Sequence, residues 1–263
     1  MTKKIIKSLV RRAGFDIVRY RPHHEPVKLR DMTDHENKIV QCVKPYTLTG
    51  EERIAALMNA VGYVAEHNIP GDIAECGVWR GGSMMAVALA LMYHGDSSRD
   101  LYLYDTFEGM SEPTNHDQSF DGLSAKSQLQ RDPVGTGIWC RSPIEDVRAN
   151  VLSTGYPEER VHFIQGKVEE TLPSIRPDCL SILRLDTDWY ESTKHELIHL
   201  FPLLDPRGVL IIDDYGHWQG ARKAVDEYLA ERQLNLYLHR VDYTCRVGIR
   251  TCSISAEKRD TLT

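Results

Sequence analysis

The sequence lacks several features that define whole classes of protein. None of its six cysteines belongs to a C-x-x-C pair or has histidine partners at zinc-site spacing. This favours the reduced thiols of a cytoplasmic protein over a zinc site or a disulfide framework. No stretch approaches the roughly 18 apolar residues of a membrane span. Internal repeats and low-complexity tracts are also missing, so a solenoid or a fibrous protein is not expected.

An excess of positive charge is missing as well. Lysine and arginine number 32 against 38 acidic residues, which gives a formal net charge of -6. Proteins that bind nucleic acids neutralise phosphates with a basic face, so we predict no nucleic-acid partner. With 41% hydrophobic and 27% charged residues in a chain of 263, the composition is typical of a globular protein with one large domain.

Basic residues are instead concentrated near the start of the chain. The segment from Lys3 to Arg21 carries seven lysines and arginines and one acid, and its apolar residues fall on one helical face. We assign residues 1–45 to this basic arm. A basic amphipathic helix can rest on an anionic membrane surface, or pack on the domain or on a second subunit. The sequence therefore leaves open a peripheral membrane contact and a homo-oligomer.

From residue 46 to residue 255, short apolar runs alternate with helical patterns, and residues 256–263 form a tail. A T-x-x-E pattern at Thr49 and Glu52 predicts a capping box at the start of the first helix. Strands are predicted at DIAECG, LYLYD, VHFIQG, LSILRLD and GVLIID. This alternation predicts an α/β fold with a doubly wound, mostly parallel sheet. LNLYLHRV and TCRVGIRT, with a turn at Asp242 and no helix between them, predict a C-terminal antiparallel hairpin.

One long segment interrupts the alternation. Residues 106–142, between LYLYD and a helix predicted to begin near Pro143, are rich in Gly, Ser, Asp, Asn and Pro. A loop of this length in a compact domain is usually functional or disordered. Because it follows a strand at the carboxyl edge of the sheet, where ligands bind in such folds, we predict an active-site lid.

The turn after the first predicted strand reads ECGVWRGGS. An acid at a strand end, a tight glycine turn and small residues that open a helix are typical of a nucleotide or cofactor site. The spacing is not GxGxxG, and the bulky VWR would crowd a pyrophosphate, which disfavours a dinucleotide oxidoreductase. S-adenosylmethionine requires no pyrophosphate contact. We predict that its methionine tail is bound here, by Glu75, Gly77, Gly81 and Ser83.

Two further strand ends complete this predicted cofactor site. Asp105 ends the second strand, where an acid in doubly wound folds accepts hydrogen bonds from ribose hydroxyls. The third strand ends near Gly166, where the adenine edge is expected to lie. Together with the glycine turn, these positions indicate a nucleoside ligand.

Acidic residues end the fourth and fifth strands. Asp186 and Asp188 follow the fourth strand, and Asp213 and Asp214 follow the fifth. The carboxyl ends of neighbouring parallel strands meet at one edge of a sheet, so these four carboxylates would repel one another unless a cation lay among them. An all-oxygen site selects Mg²⁺ or Mn²⁺. The alternative is that one or two of them are helix caps or solvated turn acids.

The motifs YTLTGEER, AECGVWRGGS, LYDTFEGM, LRLDTDWYEST and DDYGHWQGARKAVDEY occur in this order from Tyr46 to Gly248. The sequence thereby resembles the macrocin O-methyltransferase family, which methylates sugar hydroxyls of macrolide and aminocoumarin natural products. The resemblance implies a class I methyltransferase (Rossmann-like) fold, S-adenosylmethionine as donor and Mg²⁺ as cofactor. It implies Asp186, Asp213 and Asp214 as metal ligands, Asp188 as the general base, and Glu75 and Asp105 as cofactor-binding acids.

The expected function is therefore metal-dependent O-methylation of a sugar with vicinal hydroxyls, on a natural-product glycoside or on a polysaccharide or glycolipid. The main alternative is a glycosyltransferase that uses Asp186 and Asp188 as a DxD motif. His217 is either a second candidate base or a surface residue at a helix start. Four aromatic residues either line the acceptor pocket or pack in the core: Phe107, Trp139, Trp189 and Tyr190.

Overall fold

The computed structural model describes Gly14 and residues 31–132 and 139–251. The described residues from Asp31 onward belong to one compact unit. The basic helix predicted over Lys3–Arg21 and the tail at 256–263 lie outside the described residues, apart from Gly14. No helix in the described part of the chain has both the length and the apolar character that a bilayer crossing requires.

Helices and strands alternate along this unit as the apolar runs predict. The helices are α1 (Asp34–Val43), α2 (Glu51–Glu66), α3 (Gly82–Tyr93), α4 (Ala125–Arg131), α5 (Ile144–Leu152), α6 (Val168–Thr171), α7 (Tyr190–His199) and α8 (Gln219–Glu231). The strands are β1 (Asp72–Cys76), β2 (Leu101–Asp105), β3 (Val161–Gln165), β4 (Leu180–Leu185), β5 (Leu204–Ile212), β6 (His239–Arg240) and β7 (Arg246–Ile249).

The seven strands form one sheet in the order β3-β2-β1-β4-β5-β7-β6. Strands β1 to β5 are parallel, and β7 runs antiparallel to both β5 and β6. The α/β fold with a C-terminal antiparallel hairpin is therefore confirmed. In this order the strand ends that carry the predicted cofactor residues and those that carry the aspartates lie side by side.

The core consists of two apolar layers that cover the sheet. Every residue of β4 is buried, as expected for a central parallel strand covered on both faces. One layer is built largely from α1, α2 and α3, and the other from α7, α8 and the opposite faces of the central strands. Ile39, Val40 and Val43 of α1 belong to the first layer, so this helix packs within the compact unit.

The capping box predicted at Thr49 and Glu52 is wrong. Helix α2 begins at Glu51 with Gly50 as its N-cap, and no side chain caps it. The Thr49 hydroxyl instead accepts a hydrogen bond from Arg184 at 3.0 Å. A capping box does occur one helix earlier, where Thr33 and Glu36 cap α1 reciprocally.

The described part of the predicted lid, residues 106–132 and 139–142, lies against the starts of α7 and α8. Asp117 is fully buried and accepts the backbone N–H of Tyr190 at 2.8 Å. The Trp189 indole donates to the Ser111 carbonyl at 3.0 Å, and Ser119 forms a β-bridge with Trp218. These contacts fix this part of the chain beside the aspartates that follow β4 and β5.

Candidate active site

A cavity of about 500 Å³ opens at the carboxyl ends of the parallel strands. This is within the usual range for small-molecule sites. Loops from five strand ends and from the β6–β7 turn contribute to its wall. The residues that line the cavity include Gly77, Val78, Trp79 and Ser83 after β1, Asp105 and Thr106 at the end of β2, and Gly166 to Glu169 after β3. They also include Asp186 to Asp188 after β4, Asp213, Asp214, His217 and Trp218 after β5, and Tyr243 and Thr244 in the β6–β7 turn.

Three residues with a left-handed backbone conformation line this cavity. Trp79, Cys140 and Asp188 line it and have φ angles of 47°, 47° and 67°. L-amino acids with side chains rarely adopt such conformations, and they persist where the surrounding structure enforces them, often at functional sites. The turn that carries Asp188 is one of these enforced conformations.

Two glycines of the turn after β1 are required for different steric reasons. Gly77 has φ +83°, and a Cβ on it would lie 2.0 Å from the Asp186 carbonyl oxygen. The ends of β1 and β4 can approach only because this position has no side chain. Gly81 has φ +87° and would place a Cβ 2.7 Å from Val151. Gly77 lines the cavity, whereas Gly81 packs against α5 and shapes the start of α3.

Glu75 lies beneath the cavity rather than on its wall. Its carboxylate is fully buried, and Oε1 accepts the Ser83 hydroxyl at 2.5 Å and a guanidinium N–H of Arg184. Burial raises the pKa of Glu75, against the opposing effect of Arg184. Its Oε2 is buried and has no partner among the described residues. Ser83 itself lines the cavity, so Glu75 reaches the site through this hydroxyl.

Arg184 is a buried cation that links three of the predicted site acids. It pairs with Glu75, lies 2.8 Å from Asp186 Oδ2 and donates to Asp213 Oδ1 at 2.7 Å. The strand register explains this, because Arg184 lies opposite Glu75 across the β1–β4 pairing. The arginine within the otherwise apolar strand LSILRL is the sequence signal for this role, and it was missing from the predicted site residues.

Asp213 is held by two guanidinium groups. Arg184 contacts one of its carboxylate oxygens and Arg53 of α2 contacts the other. Arg53 also lies 3.2 Å from Asp242 in the β6–β7 turn. Both oxygens of Asp213 therefore already have cationic partners inside the protein.

The remaining three aspartates converge at one point. Asp186, Asp188 and Asp214 each present a carboxylate oxygen within 4.8 Å of the others. All three side chains are partly exposed to the cavity. Burial by the surrounding protein nevertheless raises the pKa of each carboxyl group, that of Asp188 to about 7. Asp214 Oδ2 has no partner among the described residues. Close, poorly hydrated carboxylates with a free acceptor suit a hard divalent cation.

The predicted metal set of Asp186, Asp213 and Asp214 is thus brought together only in part. Asp213 lies outside the convergent group because Arg184 and Arg53 hold it. Asp188, predicted as the base, joins Asp186 and Asp214 instead.

Asp105 organises the cofactor loop in this structure. Its Oδ2 accepts the backbone N–H groups of Val78 and Trp79 at 2.7 and 3.0 Å, and its Oδ1 accepts that of Phe107 at 2.8 Å. These bonds fix the turn after β1 and the start of the lid. Asp105 and Gly166 both line the cavity, so a contact with the ribose and adenine of a cofactor stays a prediction.

The four aromatic candidates pack rather than line the cavity. Phe107 and Trp189 are buried, and the Tyr190 hydroxyl donates to Glu227 at 2.6 Å. Trp139 donates its indole N–H to the Asp132 carbonyl. None of the four belongs to the described lining, whose aromatic side chains are Trp79, Tyr104, His217, Trp218 and Tyr243. His217 is a half-buried wall residue whose pKa is lowered by burial.

Glu196 of α7 is a further buried acid that the sequence pattern did not indicate. It is fully buried, and its Oε1 accepts the Thr187 hydroxyl at 2.9 Å. Burial raises the pKa of Glu196 to about 8. Thr187 lies between Asp186 and Asp188, so Glu196 supports the turn on which both depend. Nothing in the helical pattern of ESTKHELIHL marks this residue as different from the other acids on the helix.

Comparison with known proteins identifies the family. The profile of the Macrocin-O-methyltransferase (TylF) family matches residues 14–248. The chain is 35% identical over 199 residues to 8-demethyl-8-(2,3-dimethoxy-alpha-L-rhamnosyl)-tetracenomycin-C 4'-O-methyltransferase of Streptomyces olivaceus, covering 76% of this chain and 73% of the relative. It is 33% identical over 186 residues to demethyldecarbamoylnovobiocin O-methyltransferase of Streptomyces niveus, covering 71% and 68%.

Solved structures agree with this assignment. The structure of the O-methyltransferase NovP superposes with a TM-score of 0.69 at 32% identity, covering 79% of this chain and 83% of NovP. The resemblance found in the sequence motifs is thus confirmed, and the alternative of a glycosyltransferase is set aside. The chain belongs to the macrocin O-methyltransferase family and is an O-methyltransferase with the class I methyltransferase fold.

Proposed function

We propose that this enzyme transfers the methyl group of S-adenosylmethionine to a sugar hydroxyl with the help of Mg²⁺. The observation that carries the proposal is the convergence of Asp186, Asp188 and Asp214 on the cavity that the glycine turn after β1 also lines. A donor site and an acidic site in one cavity suit a reaction that brings a cationic donor to a hydroxyl.

The names of the relatives support a sugar acceptor. One acts on a rhamnosyl group of a tetracenomycin, and another is mycinamicin III 3''-O-methyltransferase of Micromonospora griseorubida, 30% identical over 183 residues. We therefore favour a natural-product glycoside over a polysaccharide as the acceptor of this enzyme.

The cofactor half of the proposal rests on the wall formed after β1, β2 and β3. The Ser83 hydroxyl donates its hydrogen bond to Glu75, so its oxygen lone pairs are free to accept a hydrogen bond from the ammonium group of the methionine tail. Gly77 has no side chain, which leaves space for the tail at the cavity wall, while its own N–H is donated to the Tyr104 carbonyl. Asp105 and Gly166 lie where the ribose and the adenine would follow. Glu75 acts through Ser83 in this account, as a positioning residue.

The acceptor half rests on the three convergent aspartates. Mg²⁺ is usually held by one or two protein carboxylates together with waters and substrate oxygens. We assign Asp186 and Asp214 as its ligands, because Asp213 is held by Arg184 and Arg53. When bound, the cation would orient two vicinal hydroxyls and lower the pKa of the one that reacts.

Asp188 is assigned as the general base. It lies within the same 4.8 Å group but on a turn with φ 67°, which Glu196 supports through Thr187. A carboxylate here can accept the hydroxyl proton as the oxygen attacks the methyl carbon and the sulfur departs. The walls of the cavity contribute by holding donor and acceptor in line, which in favourable cases supplies about 7–11 kcal/mol.

An acceptor panel tests the proposal. The enzyme is incubated with S-adenosylmethionine, Mg²⁺ and a set of hexose glycosides, and products are analysed by mass spectrometry, with and without EDTA. We expect one added methyl group per product and one S-adenosylhomocysteine, with turnover lost in EDTA and restored by excess Mg²⁺. Failure to methylate any sugar overturns the acceptor assignment, and EDTA-resistant turnover overturns the metal assignment.

A further inference from the structure

Three aromatic side chains meet at the mouth of the cavity and are not used by the proposed chemistry. Phe120 comes from the lid, His217 from the loop between β5 and α8, and Tyr243 from the β6–β7 turn; we call these three residues the aromatic rim. The ring centroids lie 5.7 Å apart for Phe120 and His217, 6.2 Å for Phe120 and Tyr243, and 5.9 Å for His217 and Tyr243. Each ring therefore contacts the other two, although three separate segments supply them.

The rim is exposed to solvent. Phe120 is 63% exposed and Tyr243 is 53% exposed. Single exposed apolar residues are ordinary, but clustered ones on a protein surface commonly mark a binding site. The cluster is consequently a candidate site for an apolar group.

The rim is also held in place before any ligand arrives. The Tyr243 hydroxyl lies 3.1 Å from His217 Nδ1. Beside it, a Cβ on Gly216 would lie 1.9 Å from the Tyr243 carbonyl oxygen, so the two loops are in direct backbone contact. The bridge from Ser119 to Trp218 fixes the lid next to Phe120. A surface that is already ordered loses little conformational freedom when it binds.

The position of the rim relates it to the acceptor rather than to the donor. His217 and Tyr243 line the cavity, and His217 and Phe120 border an adjoining groove of about 440 Å³. In the sheet order β3-β2-β1-β4-β5-β7, the cofactor residues follow the first three strands and the aspartates follow β4 and β5. Tyr243 precedes β7, next in order. Along the edge of the sheet, the rim therefore follows the proposed donor site and then the proposed acceptor site.

We propose that the aromatic rim binds the apolar or aromatic group to which the methylated sugar is attached. This inference rests on the proposed function. A cavity of about 500 Å³ is of a size that S-adenosylmethionine and a sugar ring together would fill, so we expect a further ring system at its mouth, against the rim. Planar or apolar ring systems pack well against aromatic faces and edges.

Paired acceptors test this inference on the full-length enzyme loaded with Mg²⁺. Each hexose is offered as its methyl glycoside and as its 4-nitrophenyl glycoside, and kcat/KM is measured from S-adenosylhomocysteine formation. We expect the aryl glycoside of an accepted hexose to be preferred about tenfold in the wild type. Phe120→Ala is expected to reduce this preference to about one to threefold, and Tyr243→Phe, which keeps the ring, to preserve it.

Tyr237→Ala is the matched control. Tyr237 is 80% exposed and lies outside both described cavity linings, so its loss should leave the preference unchanged. The rim assignment is refuted if the wild type prefers neither glycoside, or if Phe120→Ala and Tyr237→Ala lose the preference equally. In either case, methylation of a sugar would still support the proposed function. If no glycoside of either kind is methylated, the proposed function fails and the rim assignment fails with it.

Discussion

Arg184 Nη2 lies 2.7 Å from Asp213 Oδ1, and both side chains are only 3% exposed. This contact separates Asp213 from the three aspartates that converge on the cavity. It also links the acidic group to the turn after β1, where we propose that the donor binds, because the same guanidinium pairs with Glu75 beneath that turn. Arg184 is therefore a buried cation that contacts acids in both halves of the proposed active site.

Replacing Arg184 should destabilise the fold strongly. Arg184→Met leaves Glu75 without a cationic partner and removes one of the two partners of Asp213, so we expect a loss of about 3–5 kcal/mol in the free energy of unfolding. Urea unfolding measures this. Arg207→Met is the control, because Arg207 is exposed and makes only a 3.4 Å surface pair with Asp205, and it should cost less than about 0.5 kcal/mol. Similar losses in both variants would refute the role of Arg184.

Gly77→Ala should cost more than its backbone conformation alone explains. Gly77 and Gly155 have nearly equal φ angles of 83° and 82°, but a Cβ at Gly155 meets nothing within 4 Å, whereas one at Gly77 meets the Asp186 carbonyl oxygen. Gly155→Ala should lose about 1–2 kcal/mol from the left-handed conformation. Gly77→Ala should lose at least about 2 kcal/mol more, because β1 and β4 have to separate. Equal losses in urea unfolding would show that the close approach is unimportant.

Glu196 should make stability depend on pH. Its pKa in the folded state is about 8, above its ordinary value of 4.5. Between these values the folded protein binds a proton that the unfolded chain does not, so the free energy of unfolding falls as pH rises from about 4.5 to about 8. Glu196→Gln removes this contribution. The variant should therefore gain stability relative to wild type by on the order of 1–2 kcal/mol between pH 6 and pH 8. Parallel curves for the two proteins would contradict the shifted pKa.

Metal removal should separate the roles of the aspartates. At 100 times its dissociation constant, Mg²⁺ should stabilise the wild type by about 2.7 kcal/mol, and thermal unfolding with and without EDTA measures this. We expect Asp214→Asn to lose the stabilisation. Asp188→Asn should keep most of it and lose turnover, and Asp213→Asn should unfold more easily yet still respond to Mg²⁺. A response that is lost in Asp213→Asn but kept in Asp214→Asn would reverse our ligand assignment.

The fold follows from the sequence because the strands are apolar, short and separated by helical patterns. LSILRL and the other predicted runs became strands in the expected order, and the missing helix before TCRVGIRT correctly indicated the antiparallel edge. Thr49 shows where local patterns fail. Its T-x-x-E pattern is a good cap, but a contact with Arg184, 135 residues away in the chain, determines where its side chain lies.

The position of the acidic site could be predicted from the sequence, but the aspartates that form it could not. Parallel strand ends bring four aspartates to one edge of the sheet whatever surrounds them. Which of them face one another depends on Arg53, which α2 brings to Asp213 from 160 residues away. Glu196 was equally inaccessible to sequence reasoning, because its burial depends on how α7 packs against the sheet.

We propose that donor and metal occupy one cavity, and paramagnetic broadening measures their proximity. S-adenosylmethionine carrying a ¹³C-labelled methyl group is bound to the enzyme, and its methyl resonance is recorded with Mg²⁺ and then with Mn²⁺. We expect strong broadening by Mn²⁺ in the wild type and in Asp188→Asn, reversal by EDTA, and no broadening in Asp214→Asn. A methyl resonance that stays sharp while the wild type binds both S-adenosylmethionine and Mn²⁺ would contradict this proposal.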